Sequence, residues 1–125
     1  MTTNRYDNLV NAELLGNLVW YDGPLVALYR AIDGDLYLVS WQDCTDTENT
    51  WLWLSVSQCL AILYLRGEVD LLECFNKAEK MVLATVDMDN RARWETTCFA
   101  NLKREDLPDP GCVLTILAMM TNYKH

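Results

Sequence analysis

The sequence predicts an α+β domain: a mainly antiparallel sheet of about five to six strands, with two consecutive helices inserted and packed on one face. Three observations lead there. Strand-length apolar and aromatic runs fill most of residues 25–56, a segment from Ser57 to Gly67 carries the end signals of a helix, and two further strand-like runs follow residue 80.

Taken in order, residues 1–13 are polar with scattered apolar positions and read as an N-terminal arm or short helix, with Leu9, Val10 and Ala12 as its packing groups. Residues 14–125 read as a single domain. The run Leu18–Tyr21 meets Asp22-Gly23-Pro24, where glycine relaxes the backbone and proline fixes the next angle, so the chain reverses there. Leu25–Ile32 and Leu36–Gln42 are strands joined across Asp33-Gly34, a pair suited to a two-residue type I′ turn. Alternation sets Leu36, Leu38 and Ser40 against Tyr37, Val39 and Trp41. Both faces are mostly apolar, which places this strand inside the sheet. Asp43–Thr50 is polar and reads as a loop. In the next strand Trp51, Trp53 and Ser55 oppose Leu52, Leu54 and Val56.

Ser57 suits an N-cap, because its hydroxyl can accept from amides one turn in, and Gly67 suits the left-handed residue that ends a helix. Gln58–Arg66 between them is apolar almost all round. A second helix over about 69–76 presents Val69, Leu72 and Phe75 as a stripe. Lys80–Asp87 and Arg91–Phe99 form another hairpin, with Val82, Ala84 and Val86 on one face and the more charged second strand at an edge. Residues 101–111, with Pro108 and Pro110, are loop by composition, and Cys112–Met120 is an apolar nonamer that reads as a docked helix or a last strand, with helix preferred.

The segments Trp20-Tyr21-Asp22-Gly23-Pro24-Leu25, Tyr37-Leu38-Val39-Ser40-Trp41-Gln42-Asp43, Trp51-Leu52-Trp53-Leu54-Ser55-Val56-Ser57 and Arg66-Gly67-Glu68-Val69-Asp70-Leu71 resemble a family of small bacterial proteins of unknown function. That family shows a Tyr-Asp-Gly-Pro turn, a Tyr-Leu-Val-x-Trp strand, and a Trp-rich strand leading into a helix. The likeness covers about residues 18–76. It implies the same order of elements and brings no catalytic residues with it.

Charge narrows the function classes. The chain of 125 residues carries a net charge of −8, and residues 1–62 contribute −6 of it. Such a field repels phosphate backbones and anionic lipid, so neither nucleic acid nor membrane is an expected partner, and a basic protein surface is. Asp33, Asp35, Asp43, Asp46 and Glu48 follow one another without an intervening base. The five cysteines are odd in number and include no Cys-x-x-Cys pair, which argues for reduced thiols, and with no signal pattern the expected compartment is the cytoplasm. Cys59 and Cys74 sit among helical apolar residues and read as small core groups.

The single histidine is His125, so histidine triads and histidine metal centres lack material. The carboxylates Asp43, Asp46 and Glu48, and the pair Asp87 and Asp89, lack the glycine and closing glutamate of a calcium loop. No phosphate-cradling glycine motif occurs, and no cofactor or metal is expected. The aromatics are the unusual feature, because Trp20, Tyr21, Tyr29, Tyr37, Trp41, Trp51 and Trp53 fall within 34 residues. Either alternate rings pack beneath the helices, or one sheet face stays partly open as an anchor surface. The leading expectation is a non-enzymatic interaction module (inhibitor, immunity factor or adaptor) binding through Tyr37, Trp41, Asp43, Asp46, Glu48, Trp51 and Trp53. The alternatives are a Trp/Tyr-lined pocket for a small ligand and, ranked last among the binding readings, an acidic nucleic-acid mimic. Cys112–Met120 adds the expectation of self-association.

Overall fold

The computed structural model describes residues 6–20, 24–108 and 110–111. Its elements run α1 (Asp7–Val10), β1 (Glu13–Trp20), β2 (Pro24–Arg30), β3 (Leu36–Cys44), β4 (Glu48–Val56), α2 (Gln58–Leu65), α3 (Leu71–Lys77), β5 (Met81–Asp87) and β6 (Ala92–Thr97), followed by two 3₁₀ turns at Phe99–Asn101 and Arg104–Asp106. The six strands form one antiparallel sheet in chain order, β1 to β6, with α2 and α3 inserted between β4 and β5. This is the α+β arrangement that the sequence predicts, with β3 interior and β6 at an edge.

Strand alternation divides the sheet into two apolar faces. On one, Leu38, Leu52, Leu54 and Val56 meet Leu60 and Tyr64 of α2 and Leu71, Cys74 and Phe75 of α3. On the other, Tyr37, Val39, Trp53, Val82 and Ala84 meet Leu9 of α1. The helix-side core is fully sealed: Leu52, Leu54 and Cys74 are 0% exposed.

The helix ends follow from side-chain chemistry. Ser57 Oγ accepts from the Leu60 amide at 3.0 Å, and Asp70 Oδ1 accepts from the Glu73 amide at 2.8 Å, each relieving an orphan donor of the first turn. At the far end of α2, Gly67 adopts φ +74°, its amide bonds Tyr64 O and the Glu68 amide bonds Leu63 O, the paired bonds of a Schellman stop. Asp70 also sets the register of α3. Because the helix starts at Leu71, its buried stripe is Leu71, Cys74 and Phe75, not the expected Val69, Leu72 and Phe75. Cys59, expected in the core, is exposed in the first turn of α2, whereas Cys74 is sealed and burial pushes its thiol pKa up to about 11.

Two hairpin details differ from expectation. The β2–β3 turn is one residue longer than a type I′ turn: the Ala31 amide bonds Asp35 O, the Gly34 amide bonds Ala31 O, and the left-handed residue is Gly34 at φ +95° while Asp33 stays at negative φ. The β5–β6 hairpin repeats this design, with Asn90 at φ 64° in the glycine position and Asp87 accepting from the Asp89 and Arg91 amides at 2.9 Å. Asp43–Thr50 is also mostly strand, because β3 runs on to Cys44 and β4 starts at Glu48, leaving only 45–47 as the turn. Thr45 holds that turn, accepting through its hydroxyl from the Thr47 and Glu48 amides. No described helix is long and apolar enough to cross a membrane. The preference for a helix at Cys112–Met120, and self-association through it, fall outside the described residues, as does Asp22-Gly23 of the first turn.

Candidate functional site

The face away from α2 and α3 carries the rings. Register aligns Trp41, Trp51, Ala84 and Trp94 in one cross-strand row, and Asn17, Ala27, Val39, Trp53, Val82 and Thr96 in the next. A five-ring cluster centres on Trp53. Its centroid lies 4.9 Å from that of Tyr29, 5.4 Å from Trp94 and 6.0 Å from Tyr37, mostly tilted or edge-on, as the ring quadrupole favours. Tyr6 stacks on Trp94 at 6.1 Å and 22°, and its hydroxyl meets Thr96 Oγ1 at 2.8 Å.

The N-terminal arm therefore covers one end of this face. Leu9 is buried among the rings, and Asn8 donates to Asp33 Oδ2 at 3.1 Å, tying α1 to the β2–β3 turn. Beside the arm lies an open groove of about 440 Å³ that crosses the sheet from Asn17 on β1 to Asn90 beyond β5. Ala27, Val39 and Ala84 form its floor, the arm supplies one wall through Val10 and Ala12, and Trp51 and Trp94 supply aromatic surface. None of its described lining side chains is charged. Val10 is 54% exposed on its rim, and Leu14, exposed at 47%, pairs with Tyr29 beside it.

Exposure divides the residues expected to bind. Tyr37 and Trp53 are only 5% and 7% exposed, so they build the face instead of offering their rings to a flat surface. Burial, followed by the charges of Asp35 and Asp33, raises the Tyr37 phenol above its usual pKa. Trp51 and Trp41 are half-buried, and the Trp41 indole N–H donates to Asn49 Oδ1 at 3.2 Å. The acids are not grouped with the rings. Glu48 and Asp43 share the opposite side of the sheet by register, Glu48 paired to Arg93 at 2.9 Å and Asp43 accepting from the Cys44 amide at 2.8 Å. Asp46 sits exposed in the 45–47 turn. That turn and the Asp87–Arg91 turn lie at the same end of the sheet, the end away from the Asn8–Asp33 tie. The acids thus fringe the open end of the sheet and do not line the groove.

Trp94, Tyr6, Asn17 and Asn90 were absent from the expected site. A single tryptophan in an otherwise polar edge strand was the available signal for Trp94, but its partners depended on the β5–β6 register. Tyr6 had no signal, since nothing local says where an arm will dock.

A second hollow, about 540 Å³, lies between β3, β4 and the α2–α3 layer, lined by Asp35, Ser55, Cys59, Lys77 and Lys80 among others. Its lysines are engaged, Lys80 with Asp35 at 3.7 Å and Lys77 with Glu73 at 3.0 Å, and the Lys80 amide donates to Ser55 Oγ. Among the described residues no three His, Cys, Asp or Glu side chains converge in a way that could hold a metal ion.

Comparison with family models, with curated proteins and with solved structures returned no match. The likeness over residues 18–76 rests on those motifs alone, and the functional reading rests on the aromatic face.

Proposed function

We propose that this protein is a non-enzymatic interaction module whose working surface is the uncovered part of the aromatic face and whose partner is a basic protein. The observation that carries the reading is the open, uncharged groove beside Trp51 and Trp94, rimmed by exposed Val10. A concave apolar centre with half-buried tryptophans and a charged periphery is the composition of a protein interface, where a few aromatic anchors supply most of the affinity. The acidic hairpin ends supply long-range attraction, which raises the encounter rate and falls with salt.

The test compares wild type with Trp51→Ala, a substitution on the open face that leaves the sealed core intact. Affinity capture at low and physiological salt is expected to recover a basic partner with wild type and to lose it with Trp51→Ala, while Cys59→Ser on α2, across the sheet from the aromatic face, retains it. Equal capture by all three proteins overturns the reading. The groove volume also lies within the range of small-ligand pockets, so a second reading is a ligand-binding domain. Under that reading a metabolite panel raises the melting temperature of wild type and not of Trp51→Ala.

A further inference from the structure

We infer that the groove takes an extended, arginine-bearing segment of the partner, with the guanidinium laid against Trp51. This deepens the interaction reading and rests on it.

The groove runs diagonally from Asn17 on β1 to Asn90 at the end of β5, four strand spacings of about 4.8 Å across and at least four residues of about 3.3 Å along the strands, from the row of Val82 to beyond Val86, or roughly 23 Å. An extended chain advances about 3.3 Å per residue, so some seven residues span it and a hexapeptide fills most of it. A groove that long and only half enclosed suits a peptide segment better than a compact ligand.

Charge then selects the anchor. The described lining has no ionised group, so an acidic anchor would lose hydration and gain no cation in return. A cation fares differently. Indole faces attract it through their quadrupole, and guanidinium is planar and weakly hydrated, so it stacks where an ammonium keeps its water. Its N–H groups keep to the open side of the groove, where water serves them, and the carboxamides of Asn17 and Asn90 at the groove's two ends are left to the backbone of the segment. The surroundings add to the preference. Among the described residues Arg91 is engaged by Asp87 and Asp89, and Arg93 by Glu48, while exposed Asp46 in the 45–47 turn at the same end of the sheet has no cationic partner. The open end of the face therefore stays negative, complementary to an arginine and to basic residues on either side of it.

The test uses two blocked hexapeptides of identical sequence, Gly-Leu-Arg-Leu-Lys-Gly and the same peptide with citrulline for arginine, a neutral side chain of nearly equal shape. Binding is followed by NMR, reading the indole N–H signals of Trp51, Trp94 and Trp41 in wild type and in Trp51→Ala. The arginine peptide is expected to shift Trp51 most. Its affinity should be about tenfold higher than that of the citrulline peptide at low salt, and Trp51→Ala should lose that difference. Equal affinity of the two peptides at Trp51 overturns the arginine assignment and leaves the aromatic face as a binding surface. No shift at Trp51, Trp94 or Trp41 with either peptide overturns the segment proposal, and the interaction reading then stands or falls on the capture experiment. Tighter binding of the citrulline peptide would identify a neutral polar anchor and also overturns the proposal.

Discussion

The two faces of this sheet are built from the same strands and are almost equally apolar, yet they are covered in opposite ways. On the helix side, α2 and α3 arrive with capped ends and seal Leu52 and Leu54 completely. On the aromatic side, the cover is α1, four residues long, with no side-chain bond at its N-cap, held by Leu9, the Tyr6–Trp94 stack and the Asn8–Asp33 bond. A helix that short has no stability of its own and depends wholly on what it touches. One face is a core, and the other is a core only as far as the arm reaches.

Truncating one side chain on each face separates the two most strongly. Leu54→Ala removes a fully enclosed group and is expected to cost about 3 kcal/mol, whereas Trp51→Ala, half-buried at the groove, is expected to cost about 1–2 kcal/mol. Urea denaturation checks both. Equal losses would mean that the aromatic face is as much a core as the helix side.

A smaller effect tests the turn that anchors the arm. Gly34 sits at φ +95° with open space where a Cβ would go, so Gly34→Ala meets no clash and pays only backbone strain, about 1 kcal/mol in the same assay. A neutral result would show that the β2–β3 turn relaxes freely.

The smallest effects are pH-dependent and again separate the faces. On the helix side, the Gly111 and Glu73 amides hold the Asp70 carboxyl below its ordinary pKa of 3.8. A lowered folded-state pKa contributes stability that is present above the unfolded value and is lost as pH falls through the folded one. On the aromatic side, Tyr37 has its pKa raised above 10.0, so its contribution is complete below that value and is lost as pH rises through the raised one. Denaturation midpoints should therefore fall in acid and in alkali. Asp70→Asn should flatten the acid limb alone and Tyr37→Phe the alkaline limb alone, and any other pattern refutes these two assignments.

Much of the fold was legible because its signals are local. Ser57 and Gly67 bracket α2, Asp33-Gly34 marks a hairpin, and period-two alternation assigns Tyr37, Trp51 and Trp53 to one side of the sheet. What local signals missed depends on partners distant in sequence. Trp53 was expected to serve as an anchor, but Tyr29, Tyr37 and Trp94 close around it. Asp43 and Glu48 were read as a loop fringe because their segment is polar, whereas strand pairing carries them past the rings to the other side. The stripe of α3 differs from the expected one because the helix, read from about residue 69, starts at Leu71 behind the Asp70 cap.

The chain-order sheet has one interruption, residues 57–80, which carry α2 and α3 between β4 and β5. Every other strand pair closes across a short connection. Closing this excursion instead of a three-residue turn costs about 2 kcal/mol of additional chain entropy, because the loss grows as the logarithm of loop length. That deficit is offset only when both helices dock, so β1–β4 can zip up early while β5–β6 wait for the helical layer. Refolding after a jump out of denaturant should then have its slow barrier at the β4–β5 seam, and truncations in α2 and α3 should retard assembly more than equal truncations in β1.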